Sequence, residues 1–169
     1  MNRFSKVLVL VVAMLLLIVP LAGAEEHEDA ADHEMKDPTI VDIAINDGRF
    51  TTLVAAVVAT DLVDTLSGGE FTVFAPTDDA FAKLGLDASN IATAMPTADL
   101  KDILLYHTLT SSVSSEKAVA STGDITMANG QLAGLKVFED NLYVNDDSKV
   151  IIADILAANG SIHVVDNVI

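Results

Sequence analysis

The chain has no cysteine and no tryptophan, only two tyrosines and six phenylalanines, and nine basic residues against 25 acids. Each shortage excludes something. Without cysteine there can be no disulfide, zinc–thiolate site, thiol nucleophile or cysteine-linked lipid anchor. An exported form must therefore rest on its packed core. A formal charge of −16 repels phosphate backbones and anionic lipid surfaces, which argues against nucleic acid as a partner. The chain also lacks a Gly-x-Ser-x-Gly elbow, a His-Glu-x-x-His zinc helix, a Walker loop and a dinucleotide glycine motif. His107 and His163 are far apart and neither has an evident catalytic neighbour. Thr110 to Ser115 is a polar, loop-like run whose hydroxyls have no visible base. A non-enzymatic protein without a cofactor is expected.

Long apolar runs are also scarce, with one exception at the start. Met1 to Lys6 is short and basic, Val7 to Val19 is unbroken apolar sequence, and Ala22-Gly23-Ala24 supplies small residues after Pro20. This pattern predicts a secretory signal peptide over 1–24, with an uncleaved membrane anchor as the competing expectation. Its removal takes Arg3 and Lys6 and no acid, moving the formal charge from −16 to −18. No later run is long enough to insert in a membrane. Residues 25–37 are dense in acids and poor in large apolar groups, so a disordered acidic leader is expected. Cleavage after Ala24 would place His27 third from a free amine. That amine, two backbone amides and the imidazole suit the square-planar geometry of Cu(II) or Ni(II), with His33 nearby. His27 is thus the candidate metal ligand, and an extracytoplasmic metal- or small-ligand-binding protein is the alternative function.

From Pro38 the pattern becomes that of a folded domain. Ile40, Ile43 and Ala44 predict a helix with Pro38 in its first turn and Gly48 at its end. Phe50 to Leu66 reads as one further helix with Phe50, Leu53, Val54, Val57 and Val58 on one face. Phe71 to Phe74 reads as a strand, with Phe71 and Val73 on one side and Thr72 and Phe74 on the other. Pro76 ends it, and Thr77 caps a helix that carries Phe81 and Leu84 back onto the core. Thr97 begins another helix, with Leu100, Ile103, Leu104 and His107 at its spacing. From about Ile125 the period changes to two. Asn129-Gly130 is a hairpin signal, Leu132 to Phe138, Asn141 to Val144 and Val150 to Ile155 are strands, and Ile151, Ile152 and Ile155 supply apolar bulk. Asn159-Gly160 turns the chain into Ile162–Val165. Asn159-Gly160-Ser161 also fits a glycosylation acceptor, but the same residues are needed for the turn. With the chain stopping at Ile169, a short or frayed last strand is expected. Helices first and strands later predict an α+β fold rather than a βαβ sheet.

Three segments go beyond periodicity. Thr72-Val-Phe-Ala-Pro-Thr-Asp-Asp-Ala-Phe81, then Leu104-Leu-Tyr-His-Thr-Leu109, then Asp154-Ile-Leu-Ala-Ala-Asn-Gly-Ser-Ile-His-Val-Val-Asp166 resemble, in this order, the fasciclin domain. The resemblance covers about 38–169. It implies a compact, twisted β-sandwich wrapped by several α-helices. It also implies a secreted adhesion module that binds a cell-surface or extracellular-matrix protein or glycan, with self-association possible. Two small features carry adhesion in that family, a Tyr-His pair and an Asp-Ile pair. Here they match Tyr106 and His107, and Asp154 and Ile155, which become the candidate partner contacts. A structural role for Tyr106 and His107 within the core is the competing expectation. A single domain offers no avidity by itself, so adhesion would need clustering.

Overall fold

A computed structural model describes residues 37–169. The expected signal peptide, and the leader up to residue 36 with His27 and His33, lie outside the described residues. Helices α1 (Ile40–Asp47), α2 (Thr51–Ala59), α3 (Val63–Gly68), α4 (Asp78–Ala82), α5 (Ile91–Ala94), α6 (Thr97–Tyr106) and α7 (Ser115–Ala120) alternate with a sheet. The strands are β1 (Phe71–Pro76), β2 (Thr108–Leu109), β3 (Gly123–Thr126), β4 (Leu132–Phe138), β5 (Asn141–Val144), β6 (Ser148–Ala157) and β7 (Gly160–Val165). No helix among the described residues is long and apolar enough to cross a membrane.

Capping explains how the helical part starts. Thr39 caps α1, its hydroxyl accepting from the Asp42 N–H at 3.3 Å while the Asp42 carboxylate accepts from the Thr39 N–H at 2.9 Å. Pro38 therefore precedes the helix instead of occupying its first turn. The single helix expected over 50–66 is two. The Thr60 hydroxyl donates back to the Ala56 carbonyl at 2.9 Å, and Asp61 turns left-handed at φ 57°. The chain breaks there and Leu62 swings into the core. The start of α2 is capped from a distance: the Asp78 carboxylate accepts from the N–H groups of Thr51 (3.2 Å) and Thr52 (2.7 Å).

The strands run in the order β2-β1-β7-β6-β5-β4-β3. β1 pairs antiparallel with β2 and parallel with β7, Phe71 opposite Gly160 and Pro76 opposite Val165. All other neighbours are antiparallel. The architecture is α+β, as expected. The final strand is neither frayed nor marginal: β7 has six residues and lies between β1 and β6.

Period two in β1 separates two cores. Val73 and Ala75 pack with α1, α2, Leu104 and Ile162 in the larger cluster, and Phe71 lies against it. Phe74 faces the other way, with Leu109, Met127, Leu135, Val144 and Val165. Phe81 enters the larger core but Leu84 does not, being 60% exposed. α4 ends at Ala82, and Leu86 takes the place against the core. Two register shifts in β6 likewise turn Ile151 and Ile152 outward, leaving Ile155 as the isoleucine packed inward.

Two short helices and two short strands were not expected. α7 begins inside the polar run at Ser114, whose hydroxyl accepts from the Lys117 N–H. α5, β2 and β3 have four or fewer residues each, too few for a period to register.

Candidate functional site

β6 carries the geometry on which the site is built. Asp154 sits at its irregularity in a left-handed conformation, φ 56°. That conformation aims its backbone N–H at Nδ1 of His163, at 3.2 Å. His163 is fully buried, and its Nε2–H donates to the Val113 carbonyl at 2.9 Å. Its ring also lies tilted against Phe74, centroids 5.6 Å apart. The Asp154 carboxylate accepts from the Ser115 N–H at 2.8 Å and from the Ser115 hydroxyl. Burial works to raise the Asp154 pKa, but the two hydrogen bonds from Ser115 outweigh it and hold the carboxyl below its ordinary range.

The polar run preceding α7 is stitched down by the same device. Thr72 Oγ donates to the Ser111 carbonyl at 2.8 Å and accepts from the Val113 N–H at 2.7 Å. The Ser161 hydroxyl donates to the Val113 carbonyl at 3.2 Å. Thr72, Ser161 and His163 are all buried. Serine, aspartate and histidine therefore meet here, but they are not wired for nucleophilic catalysis. Ser115 reaches Asp154 directly, and both His163 nitrogens are engaged by backbone groups, so no imidazole nitrogen faces the hydroxyl. The arrangement is a clamp between β6, β7 and the β2–α7 connection.

Tyr106 and His107 end α6 on another part of the fold. The Tyr106 hydroxyl donates to the Leu132 carbonyl at 3.0 Å and accepts from Asn145 Nδ2 at 2.7 Å. Asn145 is left-handed, φ 54°, and its Oδ1 also accepts from the Gly134 N–H at 2.9 Å. Tyr106 is half-buried against the second core and ties α6 to the β4–β5 ribbon. His107 is buried. Its Nδ1–H donates to the Ile103 carbonyl at 2.8 Å and its Nε2 accepts from the Ile169 N–H at 2.9 Å. Burial pushes its pKa down to about 4, against a smaller opposing effect from the Ile103 carbonyl.

The two candidate pairs thus occupy different places and share no hydrogen-bond partner among the described residues. Asp154 is exposed, Ile155 and Tyr106 are partly exposed, and His107 is enclosed. Ser115, His163, Val113 and Asn145 complete these contacts and were not foreseen. A serine followed by Glu116 is a helix-start signal, and read as one it would have pointed to Ser115. Asn159 was foreseen as a turn and does more. Its Oδ1 accepts from the Ile40 N–H at 2.9 Å, and its Nδ2 donates to the carbonyls of Leu66 (2.7 Å) and Gly69 (3.0 Å). His27 lies outside the described residues. Among the described residues no group of three or more histidines or acids is placed to hold a metal ion.

The fasciclin domain model matches residues 48–169. Protein sll1735 of Synechocystis is 42% identical over 134 residues, spanning 78% of this chain and 97% of that protein. The pig transforming growth factor-beta-induced protein ig-h3 is 33% identical over 135 residues, 78% of this chain but 19% of that protein. Among solved structures, a FAS1 domain pair from the insect cell adhesion molecule fasciclin I superimposes with a TM-score of 0.68 at 17% identity. The match covers 78% of this chain and half of that pair.

Proposed function

This chain belongs to the fasciclin domain family, and on that premise we propose that it is a secreted, non-enzymatic binding module that attaches to a protein on the outside of cells. The observation that carries this reading is the outward stretch of β6. Ile151, Ile152 and Leu156 are 47%, 39% and 76% exposed, and Asp154 and Ile155 lie between them. A run of exposed apolar side chains with one carboxylate among them is the make-up of a protein-contact patch. The clamp through Ser115 and His163 holds the strand's shape, so the patch is pre-organised and binding orders little.

Asp154 touches the partner directly in this reading, and Ile155, packed inward and only partly exposed, supports the strand behind it. Tyr106 and His107 lie on another part of the fold and act from within by holding the end of α6. A formal charge of −16 favours a partner whose contact rim carries lysine and arginine. One copy binds weakly, and attachment gains strength from several copies on one surface. One solved structure that shares this fold comes from a cell adhesion molecule, which agrees with such a role. His107, His163 and the hydroxyls of Ser114 and Ser115 are committed to structure, which also favours binding over chemistry.

Binding of the labelled protein to cells of its own source tests this. Leu156→Asp should weaken binding at least ten-fold and Asp154→Ala by a smaller factor, with circular dichroism unchanged. Native-like binding by both folded variants would remove β6 from the contact.

A further inference from the structure

The helical layer contains a cavity of about 150 Å³ between α1, α2 and α3, over the face of β1 and β7. Its wall is apolar: Ile40, Ala44, Leu53, Val57, Leu104 and Ile162. Two polar residues reach it, and both are already satisfied. The Thr108 hydroxyl donates to the Leu104 carbonyl at 2.9 Å, and the two His107 nitrogens are taken by Ile103 and Ile169. Among the described residues no buried side-chain nitrogen or oxygen lacks a partner. The wall therefore offers no hydrogen bond to an occupant, and a polar group placed inside would be desolvated without compensation. An apolar cavity of about this size stays dry in other proteins and accepts a hydrocarbon of about six carbons.

The cavity is not sealed. Ile45 and Val58 belong to its lining yet are 56% and 61% exposed. They form an apolar lip between α1 and α2, continuous with the buried wall. A compact molecule lying wholly inside would make no use of that lip. A chain entering from outside would cover both.

We propose that this cavity binds the end of one hydrocarbon chain of a neutral-headed lipid or alcohol, with the chain passing between Ile45 and Val58 and its polar end in water. The acidic character of the whole chain, −16 in formal charge, selects against a carboxylate head at the mouth. The site is independent of the β6 patch, so the protein can carry an apolar cargo while attached to a surface.

Methyl-resolved NMR of the full chain titrated with 1-decanol tests the proposal. Saturable shifts are expected for the methyl groups of Leu53, Val57 and Ile162. Decanoate at pH 8 and low salt should bind at least three-fold more weakly than decanol. Ala44→Leu, which adds carbons to the cavity, should weaken decanol binding at least ten-fold. Val58→Glu alters only an exposed lip residue, so its fold is retained, and it should weaken binding at least three-fold. Wall methyls that do not respond overturn the proposal. So do shifts centred on the exposed Phe138 and Leu156, shifts that follow protein concentration and not decanol, or native affinity in folded Val58→Glu.

Discussion

The backbone N–H of Ile169 donates to Nε2 of His107 at 2.9 Å, tying the end of the last segment to the end of α6 through a buried imidazole. The bond exists only while Nε2 is unprotonated. Folded His107 has a pKa of about 4 because it is buried, whereas an unfolded histidine titrates near 6.5.

The unfolded chain therefore takes up a proton at His107 at pH values where the folded chain does not. This contribution to stability is fully present above about pH 6.5 and is lost as pH falls toward 4, with a total on the order of 3 kcal/mol. Urea unfolding at pH 7.5 and 4.5 measures it, and His107→Gln should flatten the difference between the two. The lowered pKa values of Asp78 and Asp154 act in the same direction but at lower pH. Their stabilisation is present above the ordinary aspartate range and is lost as pH falls through the depressed folded values.

Gly160 opens β7 where β7 meets the first residue of β1. A Cβ there would stand 1.8 Å from the Phe71 carbonyl oxygen, and its φ of 147° disfavours any side chain. Gly160→Ala should lose more than about 3 kcal/mol of stability or fail to fold, because backbone, not a flexible side chain, is in the way. At Gly134 the nearest atom to such a Cβ is Asp124 Oδ1 at 3.9 Å. Gly134→Ala should stay within about 1 kcal/mol of the native protein, and thermal melts of both variants make the comparison.

Asn159 joins α1, the end of α3 and the β6–β7 turn through one side chain. Asn159→Ala should cost about 2–4 kcal/mol, since it strips partners from three backbone groups. Asn159→Asp keeps the acceptor but sets a carboxylate against the Leu66 and Gly69 carbonyls, and should be no better. An amide nitrogen that holds two carbonyls is not available for a sugar. The intact mass of the native protein should show no glycan at this position.

Much of the fold was legible because β1, α4 and the hairpins rest on local chemistry. Pro76, Thr77 and Asn129-Gly130 act where they stand in the chain. The split between α2 and α3 was not legible, because it depends on Asp61 adopting a left-handed turn so that Leu62 can reach the core. Ile151 and Ile152 misled for a similar reason. The irregularity at Asp154 changes which residues of β6 face inward, and it is fixed by His163 and Ser115 from other elements. The candidate site was half legible. Motif resemblance located Tyr106, His107, Asp154 and Ile155, but burial separates them: His107 is enclosed, while Asp154 faces solvent. Nothing in the local sequence distinguishes those two environments.

A photo-crosslinking amino acid placed at position 156, and separately at position 58, tests the binding function most directly. Both positions are exposed, one on β6 and one at the cavity lip, and each labelled protein is irradiated on cells of its own source. A discrete protein adduct from position 156, absent from position 58 and competed by unlabelled native protein, is the predicted result. Adducts from position 58 alone, or none competed by native protein from position 156, would contradict the assignment of β6 as the attachment face.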